Sequence, residues 1–178
     1  TAADYGGSSV PGQLPLLSAR VPDQAAAARE RKARDAVWQH EARPREAIMK
    51  IAQIAPLMES VPPRLYGGTE RIVSWLCEEL VQQGHDVTLF ASGDSITSAQ
   101  LVPCATEALR LNPTVKDWVP HYMILMDRVR RMASHFDVLH FHVDAVHFPL
   151  FADIAGRTVT TLHGRQDLPD MKALYYAF

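Results

Sequence analysis

The chain has 178 residues, 47% hydrophobic content and a formal net charge of -2. That is ample apolar material for one domain with a core, and it excludes a disordered chain, while the near-neutral charge gives no electrostatic case for nucleic acid or an anionic membrane. No apolar run reaches the roughly 20 residues that a membrane span needs, and no signal peptide is visible; peripheral membrane contact stays open.

Composition changes sharply near Met49. Residues 1–48 open with Tyr5-Gly-Gly-Ser-Ser-Val-Pro-Gly12 and continue as a charged, alanine-rich stretch, Gln24-Ala-Ala-Ala-Ala-Arg-Glu-Arg-Lys-Ala-Arg34. That stretch has helix propensity without a sustained apolar stripe, so it reads as a flexible or solvated helical extension. Met49 followed by Lys50 and a hydrophobic strand looks like a natural start, and residues 1–48 are expected to be an upstream addition to a domain covering 49–178.

The rest alternates strand and helix. Ile51 to Ala55 is a short continuous apolar run of the kind found in a parallel strand buried on both faces. After Gly67 and Gly68, a helix from Thr69 places Ile72, Val73, Leu76, Cys77, Leu80 and Val81 on one stripe, with Gly84 as its stop. Asp86 to Ala91 is a second strand, and a short strand is expected around Leu101-Val-Pro. A long helix is predicted from Asp117, as N-cap, to Ser134, burying Val119, Met123, Met126, Val129 and Met132. Asp137 to Val143 is a strand, Ala145 to Ala155 a helix, and Arg157 to Leu162 a further strand. Such an order gives one twisted parallel sheet with helices on both faces, an α/β Rossmann-like fold.

The strand, paired-glycine turn and helix around Gly67 and Gly68 are how doubly wound proteins build an anion site, because backbone without side chains approaches the anion and the helix N–H groups point at it. Ligands in these sheets bind beyond the carboxyl ends of the strands. Three loops meet there: Pro62-Pro-Arg-Leu-Tyr-Gly-Gly68, the segment with His142 and Asp144, and His163-Gly-Arg-Gln-Asp167. The two cysteines, Cys77 and Cys104, have no metal-type spacing; a buried free thiol at Cys77 fits a reducing, cytoplasmic setting.

Met49-Lys-Ile-Ala-Gln-Ile-Ala-Pro56, Pro62-Pro-Arg-Leu-Tyr-Gly-Gly-Thr-Glu-Arg71, Gly84-His-Asp-Val-Thr-Leu-Phe-Ala-Ser92, Asp137-Val-Leu-His-Phe-His142 and Thr161-Leu-His-Gly164 together resemble the N-terminal half of a glycosyltransferase family 4 enzyme. The resemblance implies a GT-B enzyme of two Rossmann-like domains that moves a hexose from a nucleotide-sugar donor to a carbohydrate or small-molecule acceptor with retention. It needs no metal cofactor. It implies that Gly67 and Gly68 approach the donor diphosphate, flanked by Tyr66 and Thr69, and that His163 is the catalytic residue near the transferred sugar. Asp144, Gly164 and Arg165 are further substrate-binding positions on the same loops. The matching motifs stop with the N-terminal half, so the donor-binding domain is expected to be absent, the chain alone inactive, and self-association or a purely sugar- or partner-binding role open.

Two other readings compete. His140, His142 and Asp144 share one strand face, and His-x-His-x-Asp resembles the opening of a metal-dependent hydrolase site, but Ala145 stands where a second-metal histidine is wanted. A dinucleotide oxidoreductase lacks its Gly-x-Gly-x-x-Gly turn here, and the second strand ends at Ala91-Ser92 without a ribose-binding acid. Glu70 and Glu78 satisfy Glu-x7-Glu, which in this family belongs to the C-terminal domain; on the first helix they read as ordinary helix surface.

Overall fold

The computed structural model describes residues 47–110 and 112–178, so the expected extension, apart from Ala47 and Ile48, lies outside the described residues. Five strands, β1 (Lys50–Ile54), β2 (Asp86–Ser92), β3 (Gln100–Ala105), β4 (Val138–Phe141) and β5 (Thr158–Thr160), form one sheet in the order β3-β2-β1-β4-β5. Every pairing is parallel. The helices are α1 (Gly68–Gln82), α2 (Val119–Met132), the single turn α3 (Phe148–Phe151) and α4 (Pro169–Ala177).

The strand β1 is central, and its residues Ile51 to Ile54 are buried. Alternate residues serve opposite faces. On one face Ala52, Ile54, Phe90, Leu139 and Phe141 meet Leu125, Met126 and Val129 of α2 and Phe151 of α3. On the other, Val87, Leu89 and Ala91 meet Val73 and Cys77 of α1. Helices therefore cover both faces, as the alternation of strand and helix predicts. Phe90, Phe141 and Phe151 are fully enclosed, each contributing on the order of 1.5–3 kcal/mol by burial.

Helix α1 ends as the sequence predicts. Gly84 has φ +90°, and the N–H groups of Gly84 and His85 donate to the carbonyls of Val81 and Leu80, which is a Schellman closure. Helix α2 buries Met126 and Val129 as predicted, but Tyr122 and Leu125 complete the stripe, whereas Val119 and Met123 are exposed. Apolar residues are consecutive from Tyr122 to Met126, so spacing alone does not choose the row. In the buried row the Tyr122 hydroxyl accepts a hydrogen bond from the buried Leu57 N–H at 3.2 Å. The helix begins at Val119, whose N–H donates to Asp117 Oδ1 at 2.9 Å, while Trp118 is the capping residue.

The helix expected over Ala145 to Ala155 is only α3 followed by a 3-10 segment, Ala152–Arg157. Pro149 has no N–H to give a preceding turn, and Ile154 leaves helical geometry at φ -123°. Strand β4 stops at Phe141 and β5 spans only Thr158–Thr160, so His142, Asp144 and His163 lie on the loops that follow.

Candidate functional site

The strand order reverses direction between β1 and β4. Loops leaving neighbouring strands diverge at such a point and leave a crevice. Here the crevice is a cavity of about 380 Å³ lined by Pro56 after β1, Thr69 of α1, Tyr122 of α2, His142 and Asp144 after β4, and His163 after β5.

The start of α1 reaches the cavity through Thr69, and the glycine bend comes just before it. Gly67, its capping residue, has φ +156° and ψ 81°, a conformation L side chains rarely adopt. A Cβ there would lie 2.7 Å from Pro63 Cβ and 2.9 Å from Glu70 Oε2, so Gly67 serves the bend itself. Gly68 is exposed, and a Cβ on it would meet nothing within 4 Å. Its amide and that of Thr69 belong to the first turn, where helix N–H groups lack intrahelical acceptors. Beneath the bend sits the Glu70 side chain. Glu70 is 5% exposed, not the helix surface that the sequence suggests, and burial pushes its carboxyl above the usual range. Glu78 is exposed and accepts hydrogen bonds from Thr97 Oγ1 at 2.9 Å and Ser98 N–H at 3.0 Å. It fastens a loop.

The opposite wall is built from histidines. His142 is 2% exposed; its Nε2 lies 2.9 Å from Gln53 Oε1 and its Nδ1 3.0 Å from His163 Nε2. His140 stands beside it, ring centroids 4.2 Å apart, with Nε2 2.8 Å from Thr161 Oγ1. Burial, then the neighbouring His140 and His163, drives His142 down to about 3. Burial also lowers His140 and His163, the latter opposed by the Asp144 charge. At neutral pH this wall is uncharged imidazole.

Asp144 ties the two loops. Its backbone is left-handed at φ 50°, and Oδ1 accepts from the N–H groups of His163 at 3.0 Å and Gly164 at 3.3 Å. An aspartate tolerates that conformation better than most side chains. The turn takes Asp144 off the strand face it was expected to share with His140 and His142.

Thr69, Asp144 and His163 are thus brought together, with Gly68 beside them in sequence. Tyr66 is not. It is 77% exposed and lines a second cavity of about 260 Å³, where the Arg110 guanidinium lies 5.9 Å over its ring. Arg165 is exposed and paired with Asp167 at 2.6 Å, and Arg64 faces Asp94 at 3.7 Å. Gln53 and Tyr122 escaped the sequence reading. A glutamine inside the apolar run Ile51-Ala-Gln-Ile54 was the available signal, since a buried amide needs a partner.

For the hydrolase reading, both ring nitrogens of His142 are engaged by protein groups, and among the described residues no three His, Cys, Asp or Glu side chains converge as metal ligands. For the oxidoreductase reading, Ser92 at the end of β2 is fully buried with its Oγ 3.3 Å from Ser95 Oγ. Cys77 and Cys104 are buried free thiols, raised by burial to about 12 and 11. Among the described residues no helix is long and apolar enough to cross a membrane.

No curated protein matches this sequence. A family model described as Glycosyltransferase Family 4 matches residues 66–178, which begin at the glycine bend and include the His142, Asp144 and His163 loops. With more than half of its length matched, and with a five-stranded parallel sheet flanked by helices, the chain belongs to glycosyltransferase family 4.

Proposed function

We propose that the cavity between the α1 bend and the histidine wall holds the diphosphate and transferred sugar of a nucleotide-sugar donor, in a GT-B hexosyltransferase acting with retention and without a metal. The described fold is, in this reading, the acceptor-side half, and turnover belongs to it together with a donor-binding half. The observation that carries the proposal is that Thr69 and His163 line one cavity at the carboxyl edge of the sheet.

The reaction breaks the bond from the anomeric carbon to a diphosphate oxygen, so negative charge grows on the departing diphosphate. Amides at a helix N-terminus stabilise such charge by about 0.3–1 kcal/mol, more when partly buried, and Gly68 and Thr69 offer those amides. His163 meets sugar hydroxyls close to the reacting carbon. Asp144 has Oδ1 committed to two backbone amides, which suits it to holding the His163-Gly164 loop against the sugar rather than to attacking it. Tyr66 and Arg165, both exposed and outside the cavity lining, are left in this reading for contacts with the rest of the donor or with the acceptor.

Saturation-transfer NMR with UDP-glucose and GDP-mannose tests this reading. Transfer from protein to the sugar-ring protons of one donor, lost in His163→Ala, is the expected result. No transfer for either donor, or transfer indifferent to His163→Ala, would contradict it.

A further inference from the structure

A chain of three side chains crosses the sheet end from Gln53 through His142 to His163. Gln53 is 1% exposed and His142 2% exposed, so their polar atoms have one another and no bulk water. Its direction is set by which end of the Gln53 amide meets His142. With the Gln53 amide oriented as the structure has it, Oε1, an acceptor only, lies 2.9 Å from His142 Nε2, and in that orientation the nitrogen carries the hydrogen. A neutral imidazole has one N–H, which leaves His142 Nδ1 with a lone pair. His163 Nε2, 3.0 Å away, must then be the donor. The hydrogen of a neutral His163 is thereby committed to Nε2, and Nδ1, which makes no hydrogen bond among the described residues, is left as an acceptor on a side chain that lines the cavity.

We infer that Gln53 and His142 are positioning residues that lock His163 in its Nε2–H tautomer, so that His163 meets the substrate as a hydrogen-bond acceptor for a hydroxyl and not as a cation. The lock is a property of the protein alone. Its use against a sugar hydroxyl rests on the proposed donor site.

The titratable groups around the chain act in a consistent sense. His140, 4.2 Å from His142 between ring centroids, opposes protonation of its neighbour, and a proton on His142 Nδ1 would remove the acceptor that His163 needs. Asp144 alone pulls toward the cation, and its Oδ1 is already shared by the two amides of the loop. A hydroxyl-bearing ligand gains from an acceptor here. A second anion gains nothing, which sets this wall apart from the amides of α1.

The test is a histidine long-range 1H–15N correlation spectrum of the full 178-residue chain, followed across pH. The expected spectrum at neutral pH gives His163 a pyrrole-type Nε2 and a pyridine-type Nδ1, with protonation below the ordinary histidine range. In Gln53→Leu the anchoring acceptor is gone, so His163 should become a tautomer mixture and titrate at higher pH. His142→Phe should release it in the same way. An Nδ1–H tautomer for His163 in the wild type overturns the inference, since the chain would then run in the opposite direction. So does a His163 titration curve that is the same in wild type and Gln53→Leu. The wild-type spectrum decides even if the variants fail to fold. A locked Nε2–H tautomer together with no binding of UDP-glucose or GDP-mannose would sustain the lock and remove the donor reading, so the two fail separately.

Discussion

The two walls of the cavity are made in opposite ways. At α1 the chain leaves out side chains: Gly67 makes a bend that a Cβ would jam against Pro63 and Glu70, and Gly68 leaves space above the first helical turn. After β4 and β5, with Gln53 of β1, it supplies side chains in excess and then consumes their hydrogen-bonding capacity on each other, through Gln53, His142, His163 and Asp144. The first wall offers positive partial charge from the backbone and does not titrate. The second is neutral at pH 7 and becomes charged only at a cost in stability. A site that must accept an anion on one side and hydroxyls on the other needs that division.

Acid is the widest lever on the histidine wall. His142 in that wall, and His147, which lies outside the cavity with its ring stacked on Phe141 at 3.9 Å, are held near 3 and 4, each chiefly by burial, while an unfolded histidine protonates near 6.5. Between those values the unfolded chain binds more protons than the folded one, so stability is full above pH 6.5 and falls as pH drops below it. At pH 5 the expected loss is about 2 kcal/mol for each histidine. Urea midpoints at pH 8 and pH 5 check this, and equal midpoints would mean that the histidines are not held neutral.

Gly67→Ala strikes the other wall. It forces a Cβ into a disfavoured conformation at 2.7 Å from Pro63 and should cost on the order of 3 kcal/mol, measured by denaturation at pH 8. Asp144→Ala comes next, at about 2 kcal/mol, because two backbone donors lose their charged acceptor and alanine inherits the left-handed backbone. Its signature is faster hydrogen exchange at the His163 and Gly164 amides with exchange in β1 and β2 unchanged. Gly68→Ala is the smallest in stability, within about 1 kcal/mol of wild type, since the new methyl meets open space. It should nonetheless weaken anion binding by covering the amides, and a large stability loss instead would place Gly68 with Gly67 as a structural glycine.

The glycine wall was the more legible of the two. Paired glycines between an apolar run and an amphipathic helix state the bend locally, and the order of strands and helices states the sheet. The histidine wall depends on contacts between residues far apart in sequence: Gln53 and His142 are 89 positions apart, His142 and His163 21. Their types were visible and their partners were not. A strand-face count grouped Asp144 with His140 and His142, but the left-handed turn after Phe141 sends it to the next loop. The row of α2 that faces the sheet was likewise undecidable by period alone, because a run of consecutive apolar residues satisfies two rows. The family-model match from Tyr66 onward takes in the glycine bend and the His142, Asp144 and His163 loops but not β1, although β1 holds the centre of the sheet and supplies Gln53.

The open backbone at the start of α1 either receives an anion in the cavity that His163 lines or it does not. Titrating 15N-labelled protein with inorganic pyrophosphate and following backbone amides tests it directly. Saturable shifts centred on Gly68 and Thr69, reaching the cavity-lining residues and much reduced in Gly68→Ala, are predicted. Shifts confined to exposed arginines and lysines, with Gly68 and Thr69 unmoved, would contradict it.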